Sequence, residues 1–295
     1  MTTTMKMQDS QIYRSIVARY VILILVGLIF VLPIVFMIMS SLKPEMQLLR
    51  DTSSLRAFLP VGDISLDNYK DAFERVPIVQ FLFNSAFVTI TTVALGLFVN
   101  SMAAFSFALL RWRAKNMILS TILATFIVPF EAVMIPLLLI VNQLPWIGLD
   151  GISYGWLNTY HVQIIPFVAS PFQIFLFYQF FKDLPQELVE AARIDGANSF
   201  QIYYRIIVPI SGPVFATAII LRILDMWNQF MWPLMVVQTE ELRPVLVGLQ
   251  YFFQLDIAWG EIMAYLSTLT IPVIIIYLAL QRTFIESIAS TGVKG

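Results

Sequence analysis

Apolar residues in this chain come in long blocks, covering about 18–39, 81–109, 117–140, 162–181, 206–235 and 262–281. Each block is roughly 20 residues or more, enough for a helix rising about 1.5 Å per residue to cross about 30 Å of hydrocarbon. Strands of a membrane barrel would be shorter and would alternate polar with apolar. The pattern therefore predicts an all-α membrane protein with six transmembrane helices. A polar N-terminus (1–17) precedes a membrane domain (18–281), whose long first loop spans 40–80 and whose charged link spans 182–205; a polar tail (282–295) follows. The first block reads as a span and not a leader, because its apolar run is too long and no small-x-small site follows it.

Composition agrees with this reading: 59% of the 295 residues are apolar and 13% charged, against about 45–50% apolar in soluble domains. With no Cys and one His, a disulfide framework, a thiolate nucleophile and a zinc cluster fall away. The near balance of 18 basic and 19 acidic residues gives no footprint for nucleic acid.

The placement of Lys and Arg orients the spans. Lys6, Arg14, Arg19, Arg111, Arg113, Lys115, Lys182, Arg193, Arg205, Arg282 and Lys294 fall on one side, which is read as cytoplasmic and holds both termini and the link 182–205. Lys43, Arg50, Arg56, Lys70, Arg75 and Arg243 fall on the other, five of them in the long first loop among acidic residues. Trp146, Trp156, Trp232 and Trp259 belong to the outer side as interfacial anchors, and His161 sits at the outer end of the fourth span. In the first loop, SLDNYKDAFERV reads as a short amphipathic element.

The stretch ELVEAARIDGANSFQIYYRIIVPI, 187–210, places Glu187, Glu190, Arg193 and Asp195 close together in an otherwise apolar chain. Asp183 as N-cap, Pro185 in the first turn and Gly196 past the end predict a helix over 184–195, with Ser199 capping a second. On a wheel, Leu184, Leu188, Ala191 and Ala192 share one face, and Glu187, Glu190 and Arg193 the other. Two readings follow: a solvated amphipathic linker on the membrane surface, or a helix docking in a cytoplasmic partner. The alanines, which permit close approach, favour docking.

The spacing Glu190-Ala191-Ala192, three residues, Gly196, nine residues, Ile206, one residue, Val208-Pro209 resembles the EAA loop of ABC importer permeases, with Val208 replacing the usual Leu. SSLKPE at 40–45, Asn84-Ser85, DGA at 195–197, WNQFMWPL at 227–234 and TGVKG at 291–295 extend the resemblance to the MalG-like permeases of maltose-type carbohydrate importers. The resemblance implies a bacterial inner-membrane subunit in a heteromeric importer. Its partners would be a second, unlike permease, a cytoplasmic ABC ATPase dimer and an extracytoplasmic sugar-binding protein. It makes 187–200 the coupling helix and Glu187, Glu190, Ala191, Ala192, Asp195 and Gly196 its ATPase-docking residues, with the C-terminal tail reaching toward the same dimer. The chain has no GxxxxGK[ST] loop to cradle phosphates, so ATP and Mg belong on the partner ATPase and no cofactor or catalytic role is expected of this chain.

Polar side chains inside a span are costly and mark a pathway or a packing contact. Arg222, Asp225, Asn228, Gln229 and Trp232 fall within roughly 120° on a wheel of the fifth span, about 20–30 Å beyond Pro209. As a stripe they offer planar hydrogen-bonding groups and a ring to a sugar, with Trp227 pointing elsewhere. Arg222 and Asp225, at i,i+3, equally suit mutual neutralisation or a bond to the sister permease. Glu131, between Pro129 and Pro136, is read as a second buried carboxylate beside a kink, in a gate or as a structural group. Three other functions stay open: a permease for a non-sugar solute of the same class, an assembly or scaffold protein with no transport path, and an ion-driven secondary transporter. The last would show internal repeats and ion sites at broken helices, for which the sequence gives no sign.

Overall fold

In the computed structural model, which describes residues 2–148, 151–254 and 257–292, the apolar blocks are helical and proline and glycine positions divide them. The helices in chain order are α1 (Thr2–Ser41), α2 (Glu45–Asp51), α3 (Asp67–Arg75), α4 (Ile78–Leu109), α5 (Lys115–Thr125), α6 (Phe130–Val141), α7 (Tyr160–Ile164), α8 (Pro171–Lys182), α9 (Gln186–Ile194), α10 (Ser199–Ile202), α11 (Val208–Ile210), α12 (Gly212–Trp227), α13 (Met231–Val236), α14 (Val245–Gly248) and α15 (Trp259–Gly292). A two-stranded antiparallel hairpin, β1 (Pro145–Gly148) with β2 (Gly151–Tyr154), departs from the all-α expectation; it pairs Pro145 with Tyr154 and Gly148 with Gly151. The last residues of the TGVKG tail, Val293, Lys294 and Gly295, lie outside the described residues.

Among the described residues, four helical stretches are long and apolar enough to cross a bilayer: Ile16–Ser41, Ile78–Leu109, Tyr160–Lys182 and Trp259–Ala279. Two more blocks qualify only as bent pairs, α5 with α6 at 100° and Ser199–Ile210 with α12 at 81°. Proline accounts for both bends. Pro129 stands at the N-cap of α6 with ψ of 139° and disfavours helical geometry at Val128. Pro213, in the first turn of α12, offers no N–H to the turn before it. The Tyr160–Lys182 stretch is itself interrupted, passing through a 3₁₀ turn at Ile165–Phe167 before α8 starts at Pro171.

Two compact units make up the chain. One holds the residues up to Pro77 together with Leu249–Ile271. Within it, Lys43 of the SSLKPE motif is 1% exposed; its Nζ lies 3.2 Å from Asp51 Oδ2 and donates to the Arg56 carbonyl at 2.6 Å. Asn68 of α3 donates to the carbonyls of Ser41 and Lys43. Glu45 accepts from the Gly260 N–H at 3.0 Å, and Arg75 reaches Glu261 at 2.8 Å while lying over the Phe252 ring. A Cβ at Gly260 would come within 2.5 Å of Asn68 Oδ1, so a larger residue there would displace the Asn68 amide from its place. The motif thus folds the first loop onto the start of α15. The amphipathic element of that loop forms as α3. By contrast, the apolar window of α1 buries nothing inside this chain, as expected for a helix that is apolar all round and meets lipid or another subunit.

The second unit, Ile78–Gly248 and the residues from Pro272 onward, is built on α4. Its buried positions include Asn84, Ser85, Thr89, Thr92, Gly96, Asn100 and Ser101, a row of small and polar residues at roughly four-residue spacing that lets neighbouring helices approach closely. Asn84 donates to the carbonyls of Glu241 and Arg243 and accepts from Tyr160, and Ser85 accepts from the Val245 N–H. Asn84-Ser85 is therefore a clamp on the segment after α13.

Candidate functional site

The link 182–205 folds as a helix pair on a packed bed. Gly196, with φ of +84°, lets the chain reverse after α9, a conformation L residues seldom adopt. Asn198 caps α10 through a reciprocal pair with Gln201: each side chain accepts from the other's backbone N–H at 2.9 Å. Two expected caps are corrected. Asp183 closes α8 and does not open α9, where Pro185 holds the N-cap; Asn198, one residue earlier than Ser199, opens α10.

The wheel also needs revision. Val189 and Ala192 turn inward, into a cluster with Phe105 and Leu109 of α4, Phe177 and Phe181 of α8, Ile202, Tyr203 and Val214. Leu188 and Ala191 face outward, as do Glu187, Glu190, Arg193, Asp195 and Gly196. Ile194 is 87% exposed, followed by exposed Phe200 and Tyr204. Ala191 thus sits amid exposed large apolar side chains with carboxylates at the rim. The π-helical turn Tyr203–Ile207 is held by the Tyr203 hydroxyl, 2.7 Å from Ser101 Oγ on α4.

The fifth-span stripe does not persist. α12 ends at Trp227 with Asn228 as its C-cap, and Asn228 donates its amide back to the Leu224 carbonyl at 2.8 Å. Trp232 belongs to the separate helix α13, restarted after the break at Phe230 with Pro233 in its first turn. Trp232 is 1% exposed, packs edge-on against Phe130 and Phe167, and donates its indole N–H to the Val162 carbonyl at 2.9 Å. It is a core residue and not a platform for stacking, and Trp227 is buried as well. Trp232→Phe removes this hydrogen bond and leaves a void where the larger indole packed, and is expected to cost about 2–3 kcal/mol and to lower the unfolding midpoint by several degrees. A thermal melt in detergent checks this; a substrate-range shift at unchanged stability would restore the stacking reading.

Arg222 and Asp225 remain together on α12. Arg222 Nη1 donates to Asp225 Oδ2 at 2.6 Å; the arginine side chain is 8% exposed and the carboxylate 55%. Both line an open-sided cavity of about 340 Å³ with Phe126, Ser170, Phe172, Gln173 and Leu221. Gln229 borders a separate space the size of one water, with Ser85, Gln163 and Pro244. Glu131 is exposed on this chain and not buried. It occupies the first turn of α6, directly after the 100° bend, where the free N–H groups of a helix start favour a carboxylate. His161 stacks on Trp146 with ring centroids 3.9 Å apart and meets Trp156 edge-on, beside the hairpin.

Sequence reasoning missed a buried and highly connected amide in this unit. Asn100, fully buried on α4, donates to the Val168 carbonyl (2.9 Å) and to Gln173 Oε1 (3.0 Å) and accepts from the Ser170 N–H (2.8 Å). Gln173 passes the chain of bonds on to the Ala218 carbonyl of α12 at 3.0 Å. The available signal was an Asn in the middle of an apolar span, four residues after a glycine.

Long apolar helices, an interrupted span held by a buried amide and an exposed charged helix pair define a membrane protein of several spans. Residues 93–289 match the family described as "Binding-protein-dependent transport system inner membrane component", and the chain belongs to it. It is 34% identical over 291 residues to the arabinooligosaccharides transport system permease protein AraQ of Bacillus subtilis, covering 96% of this chain and 97% of that one. It is 29% identical to the lactose transport system permease protein LacG of Rhizobium radiobacter, covering 92% and 93%. Its fold is shared with a chain in the crystal structure of a bacterial ABC transporter involved in the import of alginate, at a TM-score of 0.75 and 24% identity over 91% and 95% of the two chains. The chain is thus an inner-membrane permease subunit of an ABC importer, a class that works with an ATPase and a binding protein.

Proposed function

We propose that this chain is one of two unlike permease subunits of an importer for a neutral sugar or oligosaccharide. The relatives named for arabinooligosaccharides and lactose support the solute class. In this reading the bent pairs α5/α6 and α10–α12 each count as one crossing, giving six spans over 18–281, with 1–17, 182–205 and 282–295 in the cytoplasm. ATP and Mg are held by a separate ATPase dimer, and the sugar arrives from an extracytoplasmic binding protein.

The observation that carries the proposal is the α9–Gly196–α10 pair. It presents Glu187, Glu190, Ala191, Asp195 and Gly196 outward, while Val189 and Ala192 anchor it to α4 and α8. Ala192 serves docking through this anchoring and not through contact. A rigid, small-centred face can enter a cleft on the ATPase and transmit its closure to the helices, switching access across the membrane. Arg222, Asp225, Gln229 and Glu131 are the pathway or gate groups; Trp227, Asn228 and Trp232 shape the helix end beside them. Reconstituting the subunit with the second permease, the ATPase and the loaded binding protein should give ATP-dependent sugar uptake into liposomes. ATP hydrolysis without uptake of any neutral sugar would overturn the solute class.

The sequence argument against an ion-driven transporter falls away, since broken helices are present. The family match decides against such a transporter, because binding-protein-dependent systems are a different class.

A further inference from the structure

We propose that the cavity between the end of α5, the start of α8 and α12 is a contact station for the transported carbohydrate, supplied by this subunit. The inference rests on the sugar-import reading and names where in this chain the solute is held and by what chemistry.

Three independent features converge there. Phe126 marks the end of α5 at the 100° bend, and Ser170 and Phe172 mark the interruption before α8. Irregular backbone at membrane depth is tolerated where it is buried in protein or lines a wet cavity. Here the Val168–Ser170 backbone is satisfied by Asn100, which leaves Ser170 and Phe172 as fixed walls. The third feature is Arg222, an ionic side chain more than nine-tenths buried whose Nε has no hydrogen-bond partner. A cost of that kind inside a membrane protein marks a working site.

The lining fits a hydroxylated ring and not an anion. Asp225 already neutralises Arg222, so the pair offers donors and acceptors side by side without net charge, the arrangement suited to adjacent hydroxyl groups. Phe126 and Phe172, their rings stacked with centroids 5.8 Å apart and 26° between planes, supply an apolar surface for the C–H face of a sugar. At about 340 Å³ the cavity lies within the range of small-molecule sites, about 300–1,000 Å³.

Because this chain has no Cys, a single cysteine reports on the cavity once the partner subunits are made cysteine-free. Leu221→Cys and, independently, Phe172→Cys would be placed in the reconstituted importer, held with a non-hydrolysable ATP analogue, and labelled with a charged methanethiosulfonate. The probes are arabinotriose, lactose and glycerol phosphate, each with a binding protein that takes it. A transported neutral sugar is expected to slow labelling several-fold at both positions, glycerol phosphate to leave it unchanged, and Val133→Cys on the exposed side of α6 to ignore all three. Equal labelling with and without a sugar that the wild type imports would overturn the station and leave the import reading standing. Thiols unreactive in every state would show a sister helix filling the cavity, which also overturns it. Absence of neutral-sugar uptake by an importer with active ATPase would remove both readings together.

Discussion

Ala191→Trp is expected to abolish ATP-driven uptake while the subunit stays folded and in the membrane. Ala191 faces outward at the centre of α9, so a large side chain meets nothing inside this chain and blocks whatever sits against the helix. Glu190→Lys should act at the rim of the same face: bringing like charges together at an interface costs several kcal/mol, and even about 2 kcal/mol is roughly thirtyfold in affinity. The internal control is the neighbouring position. Ala192 is buried against Phe181, Ile202 and Tyr203, so Ala192→Trp should overpack that cluster and lose the folded subunit itself. Co-purification of the ATPase, uptake in proteoliposomes and a thermal melt separate the two outcomes. Normal uptake by Ala191→Trp, or equal destabilisation by both tryptophans, would remove the docking role of this face.

This pair of adjacent alanines also shows what the chain discloses by its letters and what it withholds. Block length alone located the four long apolar helices to within about three residues, because burial of apolar surface in lipid does not depend on neighbours, but the block at 206–235 overran the end of α12 at Trp227. Gly196 was legible for the same local reason: a chain reversal after a helix requires positive φ. Which alanine turns inward was not legible, because the wheel assigns faces while the bed formed by α4 and α8 decides which face is buried. The stripe from Arg222 to Trp232 failed for a related reason. A wheel assumes one continuous helix, whereas the chain breaks at Asn228–Phe230 and Pro233 restarts it, carrying Trp232 into the core. Glu131 was misread because an apolar run was equated with burial; a proline bend places it at a helix start on the surface of the chain. The hairpin at 145–154 escaped notice since a short strand pair in a loop has no span-length signal.

Asn100→Leu is expected to be strongly destabilising to the second unit. The change keeps the branched outline of the side chain but puts methyl groups where amide atoms lie 2.8–3.0 Å from their partners, so the Val168 carbonyl, the Ser170 N–H and Gln173 Oε1 lose their bonds and must also move apart. A buried polar group stripped of its partner costs about 1–3 kcal/mol. Three such groups give several kcal/mol, which at about 2–4 °C per kcal/mol lowers the unfolding midpoint by roughly 10 °C or more. Phe98→Leu, on the exposed side of the same helix, should shift it little. The reason the cost concentrates at Asn100 is geometric: Pro171 disfavours helical geometry at Ser170 and interrupts the span, and Asn100 bonds both the Val168 carbonyl and the Ser170 N–H at that interruption. Holding that interruption open also holds Ser170 and Phe172 in place beside Arg222. Stability and the shape of the cavity are therefore predicted to fall together, and a melt of Asn100→Leu within about 2 °C of wild type would mean that the interruption is held by something other than this amide.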